Sequence, residues 1–230
     1  VNQLQTRGII LSRTNYGEAD RIITVLTPDH GKLRLMARGV RKPKSKLAGG
    51  IELFSVSDLT FIRGRGEIGT LISSRLLKYY EHIVRDIERV QLGYELIKTL
   101  NKATEDEPEP EYFQLLENAL KALDDPAISQ TLIRAWFSAQ LLRQAGHSPN
   151  LKTATDGQKL DPDTTYSFDT EAMTFTPQQH GMFTASHIKT LRLLFSVHTA
   201  KDIHKVQNVD SQLADVAPLI RAMLTSYIRV

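Results

Sequence analysis

The chain has 230 residues, 41% hydrophobic and 24% charged, ordinary values for a globular protein with a real core. It contains no cysteine, which excludes disulfides, thiolate nucleophiles, iron–sulfur clusters and cysteine zinc sites. The net charge of +3 hides an asymmetry, because residues 1–78 hold fourteen Lys and Arg against six Asp and Glu, a balance of +8, and the rest of the chain is −5; a basic half of this kind suits a polyanion.

No apolar run approaches the ~20 residues of a membrane-spanning helix. The start, Val1-Asn2-Gln3-Leu4-Gln5, lacks the charged-then-apolar layout of a signal peptide. A cytoplasmic protein of one large or two small domains is expected.

The first segment alternates as strands do. Arg7 to Arg13, Arg21 to Thr27 and Lys32 to Arg38 are rich in β-branched residues and partly period two, and Thr27-Pro28-Asp29-His30-Gly31 reads as a tight hairpin loop. Ile51 to Ile62 reads as one long strand or a bulged pair, and Gly64-Arg65-Gly66 turns the chain into a strand over Ile68 to Leu77. About five strands without an intervening helix predict a small closed barrel or sandwich over residues 1–80. Periodicity alone leaves OB-fold and SH3-like barrels both open.

Beyond Tyr80 the period becomes helical. Ile83, Ile87, Val90, Tyr94 and Ile97 share one face of a helix reaching Lys102, and the acidic run Glu105 to Glu111, interrupted by Pro108 and Pro110, reads as a solvated loop. Tyr112 to Leu123 forms a second helix. A third, from Ile128 to Leu142, stops at Gly146 before Pro149 and carries Arg134 and Arg143. Residues 147–183 interrupt the helical pattern, with Tyr166-Ser167-Phe168 and Met173-Thr174-Phe175 as a candidate hairpin. Thr184 or Ser186 caps a following helix, and Ser211 a last one with Leu213, Val216, Ile220, Met223 and Tyr227 inward. The domain division expected is 1–80 and 81–230.

Arg34, Arg38, Arg41, Lys42, Lys44 and Lys46 place six cations in thirteen residues with no acidic residue among them. Alternation puts Lys32, Arg34 and Arg38 on the solvent face of the third strand, and Arg63 and Arg65 flank the glycine turn. Such cations track a phosphate backbone, with affinity that falls as salt rises. The competing reading is a soluble strand edge. Before residue 79 the aromatics are Tyr16, Phe54 and Phe61, of which Phe54 and Phe61 read as core, so sequence-independent backbone contact is favoured over base readout. No nucleotide-binding glycine motif is present in its required context; the histidines show no HxxxH pair and read as surface or capping residues rather than metal ligands. A metal-dependent nuclease needs clustered carboxylates beside the basic surface; Glu18 and Asp20 are two apart and close to it, and read better as residues that shape a loop and repel excess polyanion. A protein-interaction adaptor whose basic half docks an acidic partner is a further alternative.

The chain resembles the RecO family of bacterial DNA repair proteins. The resemblance rests on Gly8-Ile9-Ile10-Leu11, Tyr16-Gly17-Glu18-Ala19-Asp20-Arg21-Ile22, Thr27 to Lys32, Ala37 to Ser45, Phe54 and Gly64-Arg65-Gly66-Glu67, and continues through Tyr112 to Leu116 and Leu141 to Pro149. It implies an α+β protein: an N-terminal five-stranded OB-fold barrel, then a mostly helical domain with a small cysteine-free loop or hairpin insertion. It implies a non-enzymatic, nucleoid-associated mediator without cofactors, which binds single- and double-stranded DNA and anneals complementary strands. It further implies partnership with RecR and with the tail of single-stranded DNA-binding protein in loading RecA. Many relatives carry a four-cysteine zinc module after the Gly-x-x-Pro turn, whereas Leu151 to Gly181 has no cysteine, so zinc is expected absent. For the partner tail the resemblance implies an apolar pocket with a basic rim, for which Arg134 is the best rim match and Phe137, Leu141 and Leu142 are candidate walls.

Overall fold

A computed structural model describes residues 3–64, 66–105, 107 and 109–228. Five strands, β1 (Gln3–Tyr16), β2 (Asp20–Thr27), β3 (Gly31–Ala37), β4 (Ser55–Ile62) and β5 (Ile68–Tyr79), close into a barrel in the order β1-β2-β3-β5-β4. Neighbours are antiparallel except β3 and β5, which pair in parallel through Arg34–Ile68, Leu35–Gly69 and Met36–Thr70. That closure makes the barrel OB-like and decides between the two barrels the periodicity left open. Alternation turns Ile10, Ile23, Val25, Leu35, Leu59, Phe61 and Leu71 into one core. The hairpin loop is where the sequence places it: Gly31 has φ 65, and the buried Thr27 hydroxyl donates to the Gly31 carbonyl and accepts from the His30 N–H.

Residues 51–54 do not belong to the fourth strand. The chain makes a 3-10 turn at Ala48–Gly50, and Phe54 adopts φ 56 before β4 begins at Ser55. The ring of Phe54 lies against Gly93, where a Cβ would collide with it, and edge-on to Tyr94 at 5.3 Å.

The helix expected over residues 83–102 is two helices, α1 (Glu81–Val84) and α2 (Ile87–Ala103). Asp86 is extended and its carboxylate accepts the N–H groups of Glu88 and Arg89, an N-cap that starts α2 afresh. The phase of the apolar stripe therefore changes. Ile87 is 70% and Tyr94 50% exposed, while Leu92, Leu96, Ile97 and Leu100 are buried. Helix α3 (Pro110–Leu123) begins at Pro110, a residue suited to the first helical turn. Asp106 and Pro108 of the expected acidic loop lie outside the described residues.

Two compact units divide at Asp124/Asp125. In the first, α2 and α3 pack on the barrel at β1 and β2. The second is built around α4 (Gln130–Gln144), buried at ten of its fifteen positions because α5 (Ala185–Ser196), α6 (Ala200–His204) and α7 (Val209–Tyr227) pack on it. Two of its buried polar side chains are tied to carbonyls: Trp136 Nε1 donates to the Val197 carbonyl at 2.9 Å and Gln140 Nε2 to that of Leu194 at 2.6 Å. Thr184 caps α5 in a box with His187, as one of the two expected caps. The cap of α7 is Asn208 at φ 62 rather than Ser211, whose hydroxyl donates to the Asn208 carbonyl.

Between α4 and α5 lie β6 (Asn150–Ala154), β7 (Tyr166–Asp169) and β8 (Thr174–Pro177), in the order β6-β8-β7. The expected hairpin is β7 with β8. β6, a short strand of polar composition that runs parallel to β8, is not among the expected strands. No described helix is long and apolar enough to cross a membrane.

Candidate nucleic-acid interface

The cations expected to meet phosphate fall in two groups joined by β3. At one end, Arg38, Arg41, Lys42, Lys44 and Lys46 occupy the connection between β3 and the 3-10 turn, all exposed. That connection is tied to the β1–β2 turn. The Asp20 carboxylate accepts the Gly39 N–H at 2.7 Å, the Arg41 N–H donates to the Ala19 carbonyl at 2.9 Å, and the Arg41 guanidinium donates to the Gly17 carbonyl at 3.2 Å. Gly39 sits at φ 63, the left-handed region that lets the chain turn there. Asp20 is thus a loop-shaping residue, as the sequence suggests.

At the other end, His30, Arg34, Arg63 and Glu67 line a groove of about 450 Å³ with the glycines of the β4–β5 turn. Arg34 is exposed and meets Glu67 at 3.3 Å, and Arg63 lies 3.5 Å from His30 Nδ1. Arg65 lies outside the described residues. From Arg34 to Arg38 the strand rises roughly 13 Å, so the two groups border one continuous face. Among the described residues, Arg38, Lys42, Lys44, Lys46 and Arg63 have no carboxylate within ion-pair distance.

Lys32 also lines this groove, but its ammonium is engaged elsewhere. Its ammonium donates to the carbonyls of Asn101 at 3.0 Å and Thr104 at 2.6 Å, the last acceptors at the end of α2. Phe54 and Phe61 are buried, as expected, and Tyr16 is exposed.

Residues 1–80 match the family model described as Recombination protein O N terminal, and residues 84–229 match Recombination protein O C terminal. The chain belongs to the RecO family. The DNA repair protein RecO of Dehalococcoides mccartyi is 31% identical over 212 residues, 91% of this chain and 80% of that relative. Those of Acetivibrio thermocellus and Roseiflexus sp. are 32% and 36% identical, over 65% and 64% of this chain and 59% and 51% of theirs.

The residues that the RecO resemblance nominates for a partner tail are divided by the structure. Arg134 is exposed on α4. Phe137, Leu141 and Leu142 are fully buried core residues of the same helix and offer no surface to a peptide. The pattern i, i+4, i+5 reads equally as pocket or core, and the surrounding helices make it core. The insertion between α4 and α5 forms the β6-β8-β7 sheet, whose centre is Phe175 with the rings of Tyr166, Phe168 and Phe183 edge-on at 6.1, 5.0 and 5.7 Å.

His30 and Glu67, which line the basic groove, were not singled out by sequence reasoning. Their signal is tertiary: the parallel β3–β5 pairing brings the β4–β5 turn beside the hairpin loop.

Proposed function

We propose that this RecO-family protein is a non-catalytic DNA recombination mediator. Its barrel binds single- and double-stranded DNA, anneals complementary strands, and acts with RecR and single-stranded DNA-binding protein to load RecA. The observation that carries the reading is the anchored loop Arg38 to Lys46, five exposed cations held to the β1–β2 turn by Asp20 and Arg41. Cations fixed in this way neutralise phosphates of both strands and lower the repulsion that opposes pairing. No covalent chemistry is required. Asp20, one of the two carboxylates a nuclease would need, is engaged with the Gly39 N–H. For the acidic partner tail, Arg134 is the accessible contact on α4.

The test is fluorescence-monitored annealing of complementary strands, bare and coated with single-stranded DNA-binding protein, in EDTA across a salt series. Acceleration without metal that weakens as salt rises is the expected result. Replacing Arg38, Arg41, Lys42 and Lys44 together by Ala should lower affinity for every sequence alike. It should flatten the log–log salt slope for single strands by up to about 3, at roughly 0.7 per lost contact. An unchanged slope overturns the placement, and partner capture without DNA affinity turns the reading to an adaptor.

A further inference from the structure

Tyr16 is 56% exposed at the end of β1, where the chain turns into β2. It is the exposed aromatic of a strand end crowded with cations. Tyr16 pairs with Asp20 across the β1–β2 turn, Asp20 holds Gly39, and the Arg41 guanidinium is bonded to Gly17, the residue after Tyr16. On the adjoining register pair, Arg21 Nε donates to Asn15 Oδ1 at 3.1 Å. The basic loop and the tyrosine are therefore one local structure. The other cationic group, around Arg34 and Arg63, differs: the Phe61 ring beside it is buried and packs edge-on against His30 at 5.5 Å.

An aromatic ring beside phosphate-binding cations is a platform on which an unpaired base stacks, and stacking tolerates any base because each has a π-face. Bases of a duplex are already stacked on their neighbours and present only their edges in the grooves. We propose that Tyr16 is a specificity-determining residue that stacks on an unpaired base and gives the Arg38–Lys46 end of the barrel a preference for single strands over duplex. The proposal rests on the DNA-binding reading above. It adds to backbone contact one sequence-tolerant base contact at a defined position, with Arg41 and its neighbours holding the flanking phosphates.

The experiment compares the 230-residue wild-type chain with Tyr16→Ala, Tyr16→Phe and Tyr16→Trp. Binding to a fluorescent mixed-sequence single strand and to the duplex of the same length is measured at one salt concentration, with thermal unfolding as the folding control. Tyr16→Ala should weaken single-strand binding about 5- to 150-fold, the range for one base–aromatic stack, and change duplex binding less than twofold. Tyr16→Phe and Tyr16→Trp should retain single-strand binding. The new indole of Tyr16→Trp should be quenched by the single strand and not by duplex, against a constant background from the buried Trp136. Equal losses on both substrates, or no loss on either, overturn the stacking role while leaving DNA binding intact. A wild-type chain that binds neither substrate overturns the DNA-binding reading and this one with it.

Discussion

Tyr80 shows how a single buried residue sets a pH limit on the fold. It is fully buried where β5 passes into α1, its N–H donates to the Phe54 carbonyl at 3.1 Å, and its hydroxyl has no hydrogen-bond partner among the described residues. Burial pushes the phenol up from its usual range, and the carboxylates of Glu117 and Asp124 push it further. The folded-state value therefore exceeds the unfolded one, so this stability is complete below about pH 10 and is lost as pH rises through the folded value. Tyr80→Phe removes the titration together with an unsatisfied hydroxyl. Urea unfolding should show the variant within about 1 kcal/mol of wild type at neutral pH and more stable than wild type above about pH 10. A variant that loses stability equally at both pH values would show that the hydroxyl has a partner. Residue identity made such a site only partly legible, because the sequence ends the barrel at Tyr80 but does not show that Glu117 and Asp124 approach it.

At the scale of elements, the sequence reading succeeds where one segment's periodicity decides the structure and fails where a second element does. The barrel strands, the Thr27–Gly31 hairpin, α3, α4 and the β7–β8 hairpin follow from local alternation, turn residues and caps. The split at Asp86 was hidden because Ile83 and Ile87 keep helical spacing across a break created by a capping side chain. Lys32 is the instructive case at the candidate site. Alternation puts it on the outer face of β3 with Arg34, yet α2 ends beside it and its ammonium satisfies the carbonyls of Asn101 and Thr104. Lys32→Met keeps the stem and removes both bonds. Loss of charge-assisted hydrogen bonds at a helix end should cost about 1–3 kcal/mol in urea unfolding and leave the salt slope of DNA binding unchanged. Arg38→Ala should do the reverse, and a flattened slope in Lys32→Met would return Lys32 to the interface.

For the molecule as a whole, the question is where the first folding unit ends. The sequence changes character at Tyr80, and the family match also breaks between residues 80 and 84. The physical ties run further. Lys32 of β3 caps α2, the Arg7 guanidinium lies over the Phe113 ring at 5.5 Å, and Arg89 donates to the Leu123 carbonyl at 2.7 Å. Asp124 closes the set by accepting the N–H groups of His82 and Ile83 at the start of α1. Ile9 points away from the barrel core that holds Ile10 and is nonetheless fully buried, as a strand covered by helices on its outer face requires. A fragment of residues 1–124 should therefore unfold cooperatively in urea with the salt-dependent DNA affinity of the intact chain. A fragment of residues 1–80 exposes Ile9 and Tyr80 and leaves Lys32 without its acceptors; uncovering two large apolar side chains alone forfeits roughly 3–6 kcal/mol, much of a small domain's stability. It should be unfolded or aggregated by circular dichroism and gel filtration. A soluble, cooperative 1–80 fragment would instead show that the barrel is self-sufficient and that α1–α3 are an addition to its surface.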